Sequence, residues 1–75
     1  MKSCEIVKAA MEQEGVNPPE LSKRLGKSDT YIYVLLSRPR ELLAGNLARI
    51  LDALDYDLLA RSRVDGAEFF VSPKD

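Results

Sequence analysis

ELSKRLGKSDTYIYVLLSRP, residues 20–39, sets two short apolar stripes about three residues apart. Leu21 and Leu25 are spaced i, i+4 and make one face of a first helix; Ile32, Leu35 and Leu36 make that of a second. Between them lies Gly26-Lys27-Ser28. Gly26 ends the first helix, because a residue with φ > 0 closes it at little steric cost. Ser28 suits the N-cap of the second, and Asp29 its first turn, where the positive end of the helix dipole favours a carboxylate. Pro39 stops that helix, with Arg38 and Arg40 flanking the stop. Thr30, Tyr33 and Val34 are left facing outward, and Tyr31 lies between the two faces.

Upstream, Asn17 is a good N-cap, Pro18 suits the first helical position, and Glu20 stands three residues on, as in a capping box. EIVKAAMEQE, residues 5–14, repeats Ile6, Val7, Ala10 and Met11 at helical spacing, with Ser3 as the expected N-cap. Gly15 sits where a left-handed C-cap is wanted, and Val16 can fold back on the last turn. Downstream, a helix over about 44–54 carries Leu47, Ile50, Leu51 and Leu54 on one face, with Arg49 and Asp52 on the other. Leu43 is a poor N-cap for it, and Asp55 can end it, since Asp tolerates the left-handed conformation.

After Tyr56 the periodicity shifts. DLLARSRV and AEFFVS flank Asp65-Gly66, a dipeptide that favours a two-residue type I′ hairpin turn. That turn sets Val64 opposite Ala67, Arg63 opposite Glu68 and Arg61 opposite Phe70. One face then holds Leu58, Ala60, Val64, Phe69 and Val71, and it must pack on the helices or on a second subunit, because a lone hairpin is marginal in water. The tail SPKD is expected to fray. The expected architecture is mainly α: one domain over residues 1–75, with four helices in 1–56 and a C-terminal β-hairpin in 57–72.

Composition bounds the chemistry. With 45% apolar and 31% charged residues, 75 residues suit a small globular domain and are too apolar for disorder. No apolar run approaches the ~20 residues of a membrane span, and no signal-like segment opens the chain, so a cytoplasmic protein without a membrane partner is expected. There is no histidine and one cysteine, Cys4. The usual zinc and iron sites cannot be built from one copy, and the commonest general base is missing. No cofactor, no metal and no enzymatic activity are expected. Net charge is −1, yet residues 23–49 hold Lys23, Arg24, Lys27, Arg38, Arg40 and Arg49 against Asp29 and Glu41, a local +4. The total does not advertise nucleic-acid binding, but a positive middle on an acidic chain is an asymmetry that calls for an explanation.

Two short helices joined by a glycine turn are a helix-turn-helix, in which the second helix enters a DNA major groove. Leu21, Ser22, Leu25, Gly26, Ser28, Ile32 and Leu35 resemble the matching positions of the XRE/Cro family, whose domains are lambda repressor-like. The resemblance continues through NLARILDALDYDL and covers about residues 5–58. Ser22 stands where that family has a small residue at the helix crossing. The chain departs from the pattern at Pro18, where the family has a polar residue touching phosphate, at Lys27, in place of a small apolar residue, and at Asp55, in place of glycine.

The resemblance implies base contacts from Asp29, Thr30 and Tyr33, which are also the outward residues on the N-terminal half of the second helix. Lys27, Ser28, Arg38 and Arg40 bracket that helix where the sugar-phosphate backbone would pass, and arginine forks suit phosphate oxygens. Solvated charge is the alternative for each of these cations, phosphate contact being the favoured reading; for Lys23 and Arg24, on a short surface helix, plain surface charge is favoured. The expected function is a transcriptional regulator that binds double-stranded DNA as a homodimer, through the hairpin or the face of the fourth helix. Two rivals stand beside it: an antitoxin-like subunit that covers a toxin-like protein partner, and a helix-turn-helix scaffold without DNA binding.

Overall fold

Asn17 accepts the Glu20 N–H on its side-chain oxygen at 2.9 Å, and Pro18 takes the first helical position, so α2 runs Pro18–Arg24. The structure, a computed structural model, describes residues 1–38 and 40–73. Before α2 lies α1, Ser3–Glu14; after it come α3, Tyr31–Ser37, and α4, Ala44–Asp52. Strands β1, Leu59–Arg61, and β2, Glu68–Phe70, form a two-stranded antiparallel sheet. The fold is mainly α with a small C-terminal hairpin. Among the described residues no helix is long and apolar enough to cross a membrane.

The expected apolar faces meet in one core. Val7, Leu21, Ile32 and Leu54 are the most deeply buried, joined by Ala10, Met11, Leu47, Ile50 and Leu51. Leu25, Tyr31, Leu35, Leu36 and Leu58 pack on its edge. Two arginines fasten α2 to α4 at their C-terminal ends. Arg24 donates to the Ala53 carbonyl at 3.1 Å and Arg49 to the Leu25 carbonyl at 3.5 Å. Each satisfies a helix-end oxygen that has no partner within its own helix. Tyr56 ties the end of α4 to α1 through a 3.0 Å bond to Glu14.

Two helix starts differ from the expectation. Ser3 is not the N-cap of α1; it lies inside the helix, buried, and Lys2 precedes it without a side-chain cap. The capping is done from a distance: the Glu41 carboxylate accepts the Ser3 N–H at 3.3 Å and the Ser3 hydroxyl at 3.0 Å, and that hydroxyl accepts the Leu42 N–H at 2.9 Å. Likewise Ser28 does not cap α3, and Asp29 is not in its first turn. Residues 28–30 form a turn in which the Ser28 carbonyl takes the Tyr31 N–H at 3.0 Å, and Thr30 stands at the N-cap with no side-chain bond. The early amide of Ile32 is held at 3.0 Å by the Ser22 hydroxyl of α2, the service an N-cap side chain would have given. The helix ends at Ser37; Pro39, the expected stop, lies outside the described residues, as do the last two residues of the tail.

The hairpin is also re-registered. Leu59 pairs with Phe70, Ala60 with Phe69 and Arg61 with Glu68, a slip of two residues from the two-residue turn. Type I′ needs φ > 0 at both central residues. Gly66 has φ 78, but among the described non-glycine residues only Asp55 is positive, so Asp65 is not. A four-residue loop, 63–66, forms instead, closed by the Ser62 N–H to the Ala67 carbonyl at 2.8 Å. Side chains hold it: Ser62 Oγ accepts the Val64 and Asp65 N–H groups at 3.2 and 3.4 Å, and the Asp65 carboxylate accepts the Ala67 N–H at 3.0 Å. The Ala67 N–H above all, and next the Ser62 side chain, hold the Asp65 carboxyl below its ordinary pKa. A slip of two keeps every side chain on its expected face. Leu58, Ala60, Phe69 and Val71 therefore still share one side, while Val64 moves to the loop. The helical core meets that side only at its Leu58 end; Phe69 is 72% exposed and Phe70, on the other side, 63%.

Candidate nucleic-acid interface

The local sequence that aims α3 begins at the end of α2. Gly26, at φ 71, reverses the chain, with the Lys27 N–H returning to the Ser22 carbonyl at 2.9 Å. Ser22, buried completely, then works in two directions. Its hydroxyl donates to the Pro18 carbonyl at 2.8 Å and accepts from Ile32 at 3.0 Å. A larger side chain would push the helices apart, and an apolar one would leave the Ile32 amide buried without an acceptor. Ile32 is thereby pinned inward, which turns Tyr33 and Val34 out to 68% and 41% exposure.

Each expected site residue can now be located. Asp29 and Thr30 are exposed in the turn that leads into α3, and Tyr33 is exposed one turn further on. Lys27 is exposed, with its ammonium 5.6 Å from the centre of the Tyr31 ring, within cation–π range. Tyr31 itself is half-buried against the core. Arg38 and Arg40 are exposed beyond the C-terminal end of α3, and the Arg40 N–H bonds the Arg38 carbonyl at 2.8 Å. Ser28, Thr30, Arg38 and Arg40 line one open groove beside α3. Asp29, Lys27 and Tyr33 are not among the residues lining it.

Of the six cations in the basic middle, Arg24 and Arg49 bond helix-end carbonyls, and Arg24 also lies 3.8 Å from the Glu20 carboxylate. Their charge serves the fold. Lys23, Lys27, Arg38 and Arg40 remain on the surface. Sequence reading did not find Glu41, which anchors the segment carrying Arg38 and Arg40 to the start of α1 across 38 positions. No local signal reveals such a pair. The chain matches no protein-family model, no curated protein and no solved structure.

Proposed function

We propose that the chain is a cytoplasmic helix-turn-helix regulator of the XRE/Cro, lambda repressor-like type, which binds double-stranded DNA with α3 in the major groove. The observation that carries this reading is the Ser22 hydroxyl, which holds Ile32 and fixes α3 across α2. With Ile32 inward, exposed Thr30 and Tyr33 are available to base edges. Asp29 can accept a hydrogen bond from a cytosine N4 amino group. Lys27 and Ser28 before α3, and Arg38 and Arg40 after it, supply phosphate contacts at both ends. One small module makes few contacts, so the working form is a homodimer with recognition helices about 34 Å apart. The exposed Phe69 and Phe70 favour the hairpin as its interface.

Salt dependence tests the phosphate contacts. Replacing Arg38 and Arg40 by Ala should weaken binding to all duplexes alike and flatten the log–log salt slope, by up to about one unit for each arginine that touches phosphate. An unchanged slope means that these arginines face away from DNA.

The exposed hairpin phenylalanines also favour a second reading, an antitoxin-like subunit whose hairpin covers a partner protein. The two are compatible, since one uses α3 and the other the hairpin. A chain that binds no duplex at low salt is not a regulator but a scaffold.

A further inference from the structure

The groove beside α3 has a volume of about 560 Å3, within the ~300–1,000 Å3 range of small-molecule sites. Tyr31, Val34 and Leu35 form one wall and Leu42 and Leu43 the other. These are apolar side chains at the foot of a face otherwise made for polar contacts. Arg38 and Arg40 stand among the lining residues, both exposed. The Lys27 ammonium lies over the ring of Tyr31. Among the described residues Glu41 is the one acid lining the groove, and its Oε2 accepts from the Ser3 N–H and hydroxyl at the start of α1. The result is an apolar groove lined by two arginines and one carboxylate, positive on balance, with that carboxylate held at Ser3 by its Oε2. Such a site complements a ligand with an apolar body and one anionic end.

We propose that this groove binds a small amphipathic carboxylate, its chain between α3 and Leu42-Leu43 and its carboxylate on Arg38 and Arg40. The guanidinium forks suit a planar carboxylate, and the apolar walls give a bare anion no reason to stay. Ser28 and Thr30 line the same groove, so an occupant covers two residues assigned to DNA and engages both arginines of the phosphate clamp. Ligand and duplex therefore exclude one another. This last step rests on the DNA-binding reading; the binding of the carboxylate does not.

The test follows the methyl resonances of the full chain during titration with octanoate, octylammonium and octanol at fixed ionic strength. Octanoate should shift the Val34, Leu35, Leu42 and Leu43 methyls saturably and leave Val64, at the tip of the hairpin, unmoved. Octylammonium and octanol should bind roughly tenfold or more weaker, as should octanoate to the Arg38→Ala/Arg40→Ala variant, since none of these pairs can form the charge-assisted bonds. Both arginines are exposed, so an unchanged melting temperature separates a binding defect from a folding defect. Equal binding of octanoate and octylammonium, shifts centred on the hairpin, or no saturable shift overturns the proposal. If octanoate binds but the chain retains no duplex at low salt, the ligand site stands and the DNA reading falls. If duplex is bound and octanoate neither shifts these methyls nor releases it, the ligand site falls alone.

Discussion

Asp55 adopts a left-handed backbone, φ 65, in a position where the XRE/Cro pattern has glycine. The Tyr56 N–H bonds the Leu51 carbonyl at 2.9 Å and the Asp55 N–H bonds Asp52 at 3.0 Å, a Schellman closure of the same form as those at Gly15 and Gly26. An L residue with a Cβ is strained there as glycine is not, partly offset by glycine's greater freedom in the unfolded chain. Asp55→Gly should therefore stabilise the domain by about 0.5–1 kcal/mol, read from denaturant midpoints. A destabilised variant would mean that the Asp55 side chain contributes more than its backbone costs. This closure is legible in the sequence because it is local. The starts of α1 and α3 are not, because their capping groups come from Glu41 and from Ser22. Ser3 and Ser28 have the right chemistry for caps, but sequence spacing cannot show that a remote side chain already does the work.

At the scale of elements, the apolar stripes of all four helices are legible, since burial requires that periodicity and little else competes with it. The hairpin shows the limit. Asp65-Gly66 is a strong two-residue turn signal, yet Ser62 and Asp65 together satisfy the amides of a longer loop, and the strands slip by two. The faces survive because the slip is even. The pairing makes a measurable difference: Arg61 stands opposite Glu68, whereas Arg63 lies in the loop. Double-mutant cycles should give a coupling of about 0.2–1 kcal/mol for Arg61 with Glu68 and none for Arg63 with Glu68. Coupling at Arg63 alone would restore the two-residue turn. Tyr56 adds a pH signature between elements. Burial first, then its bond to Glu14, raises the phenol above its ordinary pKa. Its contribution to stability is therefore complete below the unfolded phenol's pKa and fades as pH rises through the folded value.

The molecule as a whole extends 41 Å along its longest axis and about 22 Å across, with apolar side chains still exposed at the hairpin. If α3 faces DNA and the hairpin faces a second copy, sedimentation at micromolar concentration should give twice the 8.4 kDa chain mass. A chain that stays monomeric leaves Phe69 and Phe70 for a different protein. The charge asymmetry is legible in the sequence, but not its division of labour, because only the fold reveals that Arg24 and Arg49 cap helix ends. Whether α3 reads duplex sequence is decided by selecting bound sites from a random duplex library with the full chain at low salt. The expected result is a palindromic consensus with half-sites one helical turn, about 34 Å, apart, whose preferred bases change when Thr30 or Tyr33 is replaced. A selected pool indistinguishable from the starting library would contradict sequence reading by α3.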